Sequence, residues 1–115
     1  MEPEKKAIEA QEFILKDATG KVRATLAASD DGPGLTLFDA QRQKRIGLHI
    51  IRDQAALVLF DREGKPRAQL DVDDDGPALL LFDQKTNPRA VLVPGTSKAG
   101  LLLIDHRRKV VYNAP

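Results

Sequence analysis

The amino-acid sequence predicts an all-β protein made of five tandem copies of a 22-residue unit, each of them a β-hairpin. The first observation is an uninterrupted period of 22 residues, which is clearest in one acidic column: Asp17, Asp39, Asp61, Asp83 and Asp105. The second is an alternation of apolar and polar residues with the period of a β-strand. The third is a repeated Asp-x-x-Gly motif, which is typical of a turn because Asp accepts local backbone hydrogen bonds and Gly adopts a positive φ.

Apolar and basic residues keep the same period, with no insertion or deletion along the chain. The columns are Leu26, Leu48, Leu70 and Leu92; Leu35, Leu57, Leu79 and Leu101; Leu37, Leu59, Leu81 and Leu103; Phe38, Phe60, Phe82 and Ile104; and Arg23, Arg45, Arg67 and Arg89. Columns that share one interval in this way define a structural repeat, so every unit is expected to have the same fold.

Each unit contains two predicted strands joined by a turn. In the third unit, residues 57–60 place two Leu side chains on one face, and residues 65–72 alternate again after the turn. Residues paired across a hairpin point to the same face, so we expect a four-residue loop over 61–64 that pairs Leu57 with Ala68. This register places the Leu columns on the inward face of the sheet.

Two architectures accommodate the repeat. In the favoured one, successive hairpins form an antiparallel meander that makes a roll, a barrel or an elongated sheet. In the alternative, each unit is one coil of a parallel β-solenoid. Residues 1–12 form a polar segment that could contain a short helix, and residues 13–115 form a single β-repeat domain.

Composition excludes several classes of function. Eighteen basic and seventeen acidic residues give a net charge of +1, which does not favour nucleic acid as a partner. The chain contains no Cys, so it has no disulfide and no thiolate metal site. No segment resembles a signal peptide or a membrane-spanning helix, and the compartment remains undetermined. We predict no cofactor and no enzymatic activity.

The first strand of each unit carries apolar residues on its outward side as well. These outward residues are Phe38, Phe60, Phe82, Ile104, Val58, Leu80 and Leu102. Because soluble monomers seldom expose a continuous apolar stripe, we expect these residues to be covered by another copy of the chain, in a dimer or trimer. The predicted function is therefore a non-enzymatic structural or protein-interaction module that self-associates.

Two further sets of residues suggest ligands. The column Arg23, Arg45, Arg67 and Arg89 could bind an anionic ligand such as a glycan, which is the alternative function. Asp71, Asp73 and Asp75 followed by Gly76 match the opening of a calcium loop, but Phe82 occupies the position of its last ligand, normally Glu. We therefore predict a solvated acidic loop, with a weak calcium site as the alternative.

The succession Leu-x-Leu-Phe-Asp, Gly-Lys-x-Arg-Ala-x-Leu and Asp-Gly-Pro resembles a group of uncharacterised bacterial tandem-repeat proteins built of 22-residue β units. The resemblance covers residues 13–115, and the chain departs from it at Arg42, Thr86 and Arg108, where Gly is usual. It implies no activity. It does imply an N-terminal hydrophobic anchor, which this sequence lacks, so we expect either a soluble variant or a trimmed form of an anchored envelope protein.

Overall fold

Ten strands form one antiparallel sheet and follow one another in the sheet in sequence order. The computed structural model describes residues 5–94 and 99–114. The strands are β1 (Glu12–Lys16), β2 (Val22–Ser29), β3 (Gly32–Phe38), β4 (Lys44–Ile51), β5 (Gln54–Phe60), β6 (Pro66–Asp73), β7 (Gly76–Phe82), β8 (Pro88–Pro94), β9 (Ala99–Ile104) and β10 (Val110–Ala114). The predicted meander is confirmed as an open sheet with β1 and β10 at its edges, and the parallel solenoid is wrong.

The described residues before β1 are irregular. Residues 5–11 contain no helix, so the short helix expected within residues 1–12 is absent from this stretch, and residues 1–4 lie outside the described chain. So short a segment is below the length at which a helix is stable without tertiary packing. In the part of the chain that the structure describes, no helix is long and apolar enough to cross a membrane.

The Asp column begins five equivalent turns at one end of the sheet. In the third unit, the Asp61 carbonyl accepts a hydrogen bond from the Gly64 N–H at 3.1 Å, and the Asp61 N–H donates to the Lys65 carbonyl at 2.9 Å. The Asp61 Oδ1 also accepts the N–H groups of Glu63 and Lys65, at 2.9 and 3.1 Å. The loop is therefore a β-turn followed by one residue in the left-handed conformation, and it is closed by the Asp61 side chain.

The expected four-residue loop is wrong, although the face that it assigned to each residue is retained. Leu57 lies opposite Leu70, and Leu59 lies opposite Ala68, because a β-bulge follows Leu59. Relative to the predicted pairing, the shorter turn shifts the register by one residue and the bulge shifts it by one more. Because two shifts restore the alternation of faces, the Leu residues of both strands still share a face. The rule that paired residues point to the same face predicts this register only if the bulge is included.

The residue that ends each of these turns has a positive φ. It is Gly20 and Gly64 in two units, with φ of 87° and 84°, and Arg42, Thr86 and Arg108 in the other three, with φ of 63°, 64° and 64°. These are the three positions at which the repeat departs from Gly. A branched side chain such as Thr is strained in this conformation.

At the opposite end of the sheet, the three described turns have two-residue loops. Ser29 pairs with Gly32, Ile51 with Gln54 and Asp73 with Gly76. A Cβ atom added to Gly32 would lie 2.0 Å from the Ile50 carbonyl oxygen, so no side chain fits there. The turn between β8 and β9 lies outside the described residues.

The described chain has no second layer of secondary structure. Only Ala24 and Val58 are buried apolar residues, and no described side chain is fully buried. Stable domains bury the apolar face of one layer against another layer. The single sheet therefore lacks a hydrophobic core of its own.

Substitution of Thr86 by Gly should stabilise the protein by about 1 kcal/mol, because Gly removes the cost of a left-handed β-branched residue. The measurement is the free energy of unfolding at fixed protein concentration. Lys85→Gly is the matched control, since Lys85 lies in the same turn without a positive φ, and it should give no gain. Equal effects at the two positions would contradict the turn geometry.

Candidate interaction surface

One face of the sheet carries three apolar rows that run across the strands, and we name it the Leu face. The central row is Phe13, Leu26, Leu35, Leu48, Leu57, Leu70, Leu79, Leu92, Leu101 and Ala114. The row towards the Asp turns is Leu15, Ala24, Leu37, Ile46, Leu59, Ala68, Leu81, Ala90, Leu103 and Tyr112. The third row is Ala28, Pro33, Ile50, Ala55, Val72, Pro77 and Pro94. No residue in the three rows is charged.

Most large side chains of the Leu face are open to solvent. Leu48 is 51% exposed, Leu70 is 48% exposed and Leu26 is 46% exposed. The expectation that the Leu columns are buried is therefore wrong for the single chain, because the sheet does not fold over itself. The Leu face is the large apolar surface that this structure leaves uncovered.

The opposite face, which we name the mixed face, holds the seven residues predicted to form the interaction stripe. Val58 is only 7% exposed. The other six, which are half-buried, are Phe38, Phe60, Phe82, Ile104, Leu80 and Leu102. Gly47 and Gln69 interrupt the stripe on either side of Val58, whereas Val91 lies between Leu80 and Leu102 and makes the stripe continuous over β7 to β9. The prediction followed each strand and did not include the cross-strand neighbours.

Side chains of the mixed face cover one another. The ring of Phe60 lies over Gly47, whose missing side chain leaves room for it. The Lys44 Nζ lies 4.6 Å from the centre of the same ring, within the range of a cation–π contact. Arg45 is half-buried beside them. This face therefore shields its aromatic residues with the stems and heads of basic side chains.

Each Arg of the repeat links its own strand to the preceding turn and to the following strand. The Arg67 Nε donates a hydrogen bond to the Phe82 carbonyl at 3.0 Å, and its Nη1 lies 3.6 Å from the Asp61 Oδ2. The first unit repeats the contact, with Arg23 donating to the Phe38 carbonyl at 3.3 Å. The equivalent carboxylate pairs are Arg23 with Asp17, Arg45 with Asp39 and Arg89 with Asp83. We name this arrangement the Asp–Arg bridge.

The Asp–Arg bridges occupy part of the hydrogen-bonding capacity of the Arg column, which was predicted as an anion site. In the third unit, the guanidinium of Arg67 already has a carbonyl on one nitrogen and a carboxylate beside another. The side chains of the four Arg residues are between 33% and 41% exposed. Binding of a glycan along this column stays a prediction, and the geometry favours a structural role for these Arg residues.

The turn hydrogen bonds lower the pKa of every Asp in the column. The side-chain hydrogen bond from Thr19 is the largest cause in the first unit and helps to lower the pKa of Asp17 to about 2. In the other units, the largest cause of the lowered Asp pKa is a backbone N–H donated by Gln43, Lys65, Asn87 or Lys109. Partial desolvation opposes these shifts, and the hydrogen bonds outweigh it.

The candidate calcium ligands are not brought together. The Asp71 carboxylate accepts a hydrogen bond from the Gln69 amide on the mixed face, whereas the Asp73 Oδ1 accepts the Asp75 N–H at 2.8 Å in the following turn. Among the residues at 5–94 and 99–114, no group of three or more His, Cys, Asp or Glu side chains is placed to hold a metal ion. The Asp73 carboxylate therefore caps its own turn, and the Asp71 carboxylate is paired with Gln69.

Comparison with known proteins gives no match: neither a protein-family model nor a curated protein sequence is similar to this chain. The resemblance to bacterial 22-residue repeat proteins therefore remains a prediction.

Acid should destabilise the protein as the pH falls from about 4 to about 2. The folded-state pKa of each turn Asp is below its unfolded value, so the stability that these Asp residues contribute is present above about pH 4 and is lost as the pH falls through the folded-state pKa. Carboxyl resonances followed by nuclear magnetic resonance give the individual pKa values. Thr19→Ala should raise the pKa of Asp17 and leave that of Asp61 unchanged, and a common shift of both would contradict the local cause.

Substitution of Arg67 by Lys should destabilise the sheet by about 1 kcal/mol, because an ammonium group cannot replace the bond to the Phe82 carbonyl and the contact with Asp61 together. Chemical denaturation at fixed protein concentration measures the change. Arg62→Lys is the matched control, since Arg62 is exposed in the adjacent turn and should change stability by less than about 0.5 kcal/mol. The same loss in both variants would argue against the Asp–Arg bridge.

Proposed function

We propose that the protein is a non-enzymatic structural module that self-associates, with two copies packing their Leu faces together into a two-layer β-sandwich. The observation that carries the proposal is the continuous, exposed and uncharged Leu face on a sheet that has no second layer. An apolar layer of this kind must be buried against another layer. A second copy supplies that layer with the same chemistry.

The size of the Leu face fits a specific interface. Ten strands about 4.8 Å apart and three residue rows give a surface about 40 Å by about 20 Å, on the order of 800 Å². Stable complexes bury about 800 Å² on each partner, whereas monomers rarely expose a continuous apolar patch of this extent. The Leu face therefore has the dimensions of a full protein interface.

The shape of the Leu face is suited to packing against another copy of the same face. In the row towards the Asp turns, Ala24, Ala68 and Ala90 each lie between larger side chains on the neighbouring strands. The small residues leave depressions and the Leu side chains form ridges, at a spacing set by the repeat. A surface that alternates in this way can interdigitate with its own copy across the roughly 10 Å that separates stacked sheets.

The thermal stability of the protein should increase with its concentration. Because burial of the Leu face is proposed to supply the core, association and folding are coupled by mass action. The midpoint of thermal unfolding should rise over a hundredfold range of concentration, and sedimentation should give twice the chain mass of 12.6 kDa. A compact monomer whose midpoint is independent of concentration would overturn the proposal, and a trimer would retain self-association but reject the two-layer sandwich.

Introducing charge on the Leu face should dissociate the dimer. Leu48→Lys with Leu70→Lys places two cations in the central row, and we expect at least a hundredfold weaker association, because buried charges without partners are costly. Thr36→Lys with Gln69→Lys is the matched control on the mixed face and should leave the mass unchanged. Circular dichroism shows whether each variant retains its β-structure, and dissociation caused only by the control pair would identify the mixed face as the interface.

A further inference from the structure

The charges of the sheet are separated between its two ends. The end formed by the Asp turns, residues 17–23, 39–45, 61–67, 83–89 and 105–109, carries thirteen Lys and Arg against six Asp and Glu, a net charge of +7. The described turns at the opposite end, residues 28–33, 50–55 and 72–77, carry one basic residue against six acidic ones, a net charge of −5. The two ends are separated by the length of a strand, with the uncharged Leu face between them.

Two identical sheets can stack their Leu faces about a two-fold axis in two ways. If the axis is parallel to the strands, the basic ends of both copies coincide and so do the acidic ends. If the axis runs across the strands, each strand lies over its own equivalent in the other copy, with the two ends of the sheet exchanged. The basic end of each copy then covers the acidic end of the other.

We propose that the charge separation selects the second arrangement, a sandwich in which the basic end of each copy lies over the acidic end of the other. This inference rests on the proposed function, since it describes how the Leu faces of two copies meet. Two of the apolar rows span all ten strands and the third extends over β2 to β8, so the Leu face permits either orientation. The charges at the ends distinguish them, because like charges in contact oppose association and opposite charges favour it.

The turn at residues 61–65 joins β5 to β6 at the middle of the ten-strand sheet. Its distance from the same turn in the other copy therefore distinguishes the two orientations. With the axis parallel to the strands, this turn meets its own equivalent in the other copy. With the axis across the strands, it lies near the partner copy's turn at residues 74–75, which joins β6 to β7. The chain contains no Cys, so a single introduced Cys can be labelled without interference.

The test measures distances between spin labels in the full-length protein. For Arg62→Cys labelled in both copies, we expect a separation of about 25 Å or more, the length of a strand of seven or eight residues. In a mixture of Arg62→Cys and Asp74→Cys proteins, the label pair between copies should lie at about 15 Å. A short distance between two Arg62→Cys labels would overturn the inferred orientation and leave the sandwich intact.

Charge reversal gives an independent test, because all of its substitutions lie in turns away from the Leu face. Asp74→Lys with Asp75→Lys should raise the dissociation constant on the order of tenfold, and adding Arg62→Glu with Lys85→Glu should restore it. Raising the ionic strength should weaken the unmodified dimer and reduce the difference between variants. Tighter association of the Asp74→Lys and Asp75→Lys variant would overturn the orientation. A monomer in every measurement would instead reject the proposed function itself.

Discussion

An antiparallel sheet has two faces, and in this chain the side chains of only one face cover their own apolar residues. The mixed face carries Thr, Gln and Arg side chains that remain compatible with water while they cover residues such as Phe60 and Val58. The Leu face has no comparable residues among its three rows. The hydrophobic effect scales with the apolar area removed from water. The Leu face therefore contributes little to the free energy of folding while it is exposed, and would contribute more if it were covered. This imbalance between the two faces is the basis of the proposed self-association.

The Asp–Arg bridge performs the complementary task of holding the hairpins together without a core. Sheet hydrogen bonds fix neighbouring strands, but the turn, the second strand of its hairpin and the next hairpin also need a fixed relation. Arg67 supplies it, because its guanidinium reaches from the Asp61 turn to the Phe82 carbonyl. Five donors in a rigid plane allow one Arg to contact both groups, whereas Lys has a single head group. The coincidence of the Asp and Arg periods thus has a structural explanation.

The sequence was sufficient to predict the repeat, the hairpins and their antiparallel order, because these depend on local periodicity and on turn residues such as Asp61 and Gly64. It was insufficient for the register and for burial. The register depends on a bulge after Leu59 that no local composition signals, and the burial of Leu48 depends on whether a second layer exists in the same chain. The extent of the outward apolar stripe depends on cross-strand neighbours such as Gly47 and Gln69 beside Val58, and the role of the stripe as an interface stays a prediction.

The net charge of +1 does not indicate the separation of basic and acidic residues between the two ends of the sheet. Averaged over the chain, basic and acidic residues cancel, and the composition indicates only that nucleic acid is an unlikely class of ligand. The meander separates the charges, because alternate turns lie at opposite ends of the sheet: the end with the Asp turns is net basic, and the described turns at the other end are net acidic. The units contribute unequally to the acidic end, since the turn at Arg52 and Asp53 is neutral whereas residues 73–75 are three Asp. Every added unit extends the Leu face by two strands, so in the proposed dimer the apolar contact area would increase with the number of repeats, whereas the charge that orients the copies would depend on the residues of each turn.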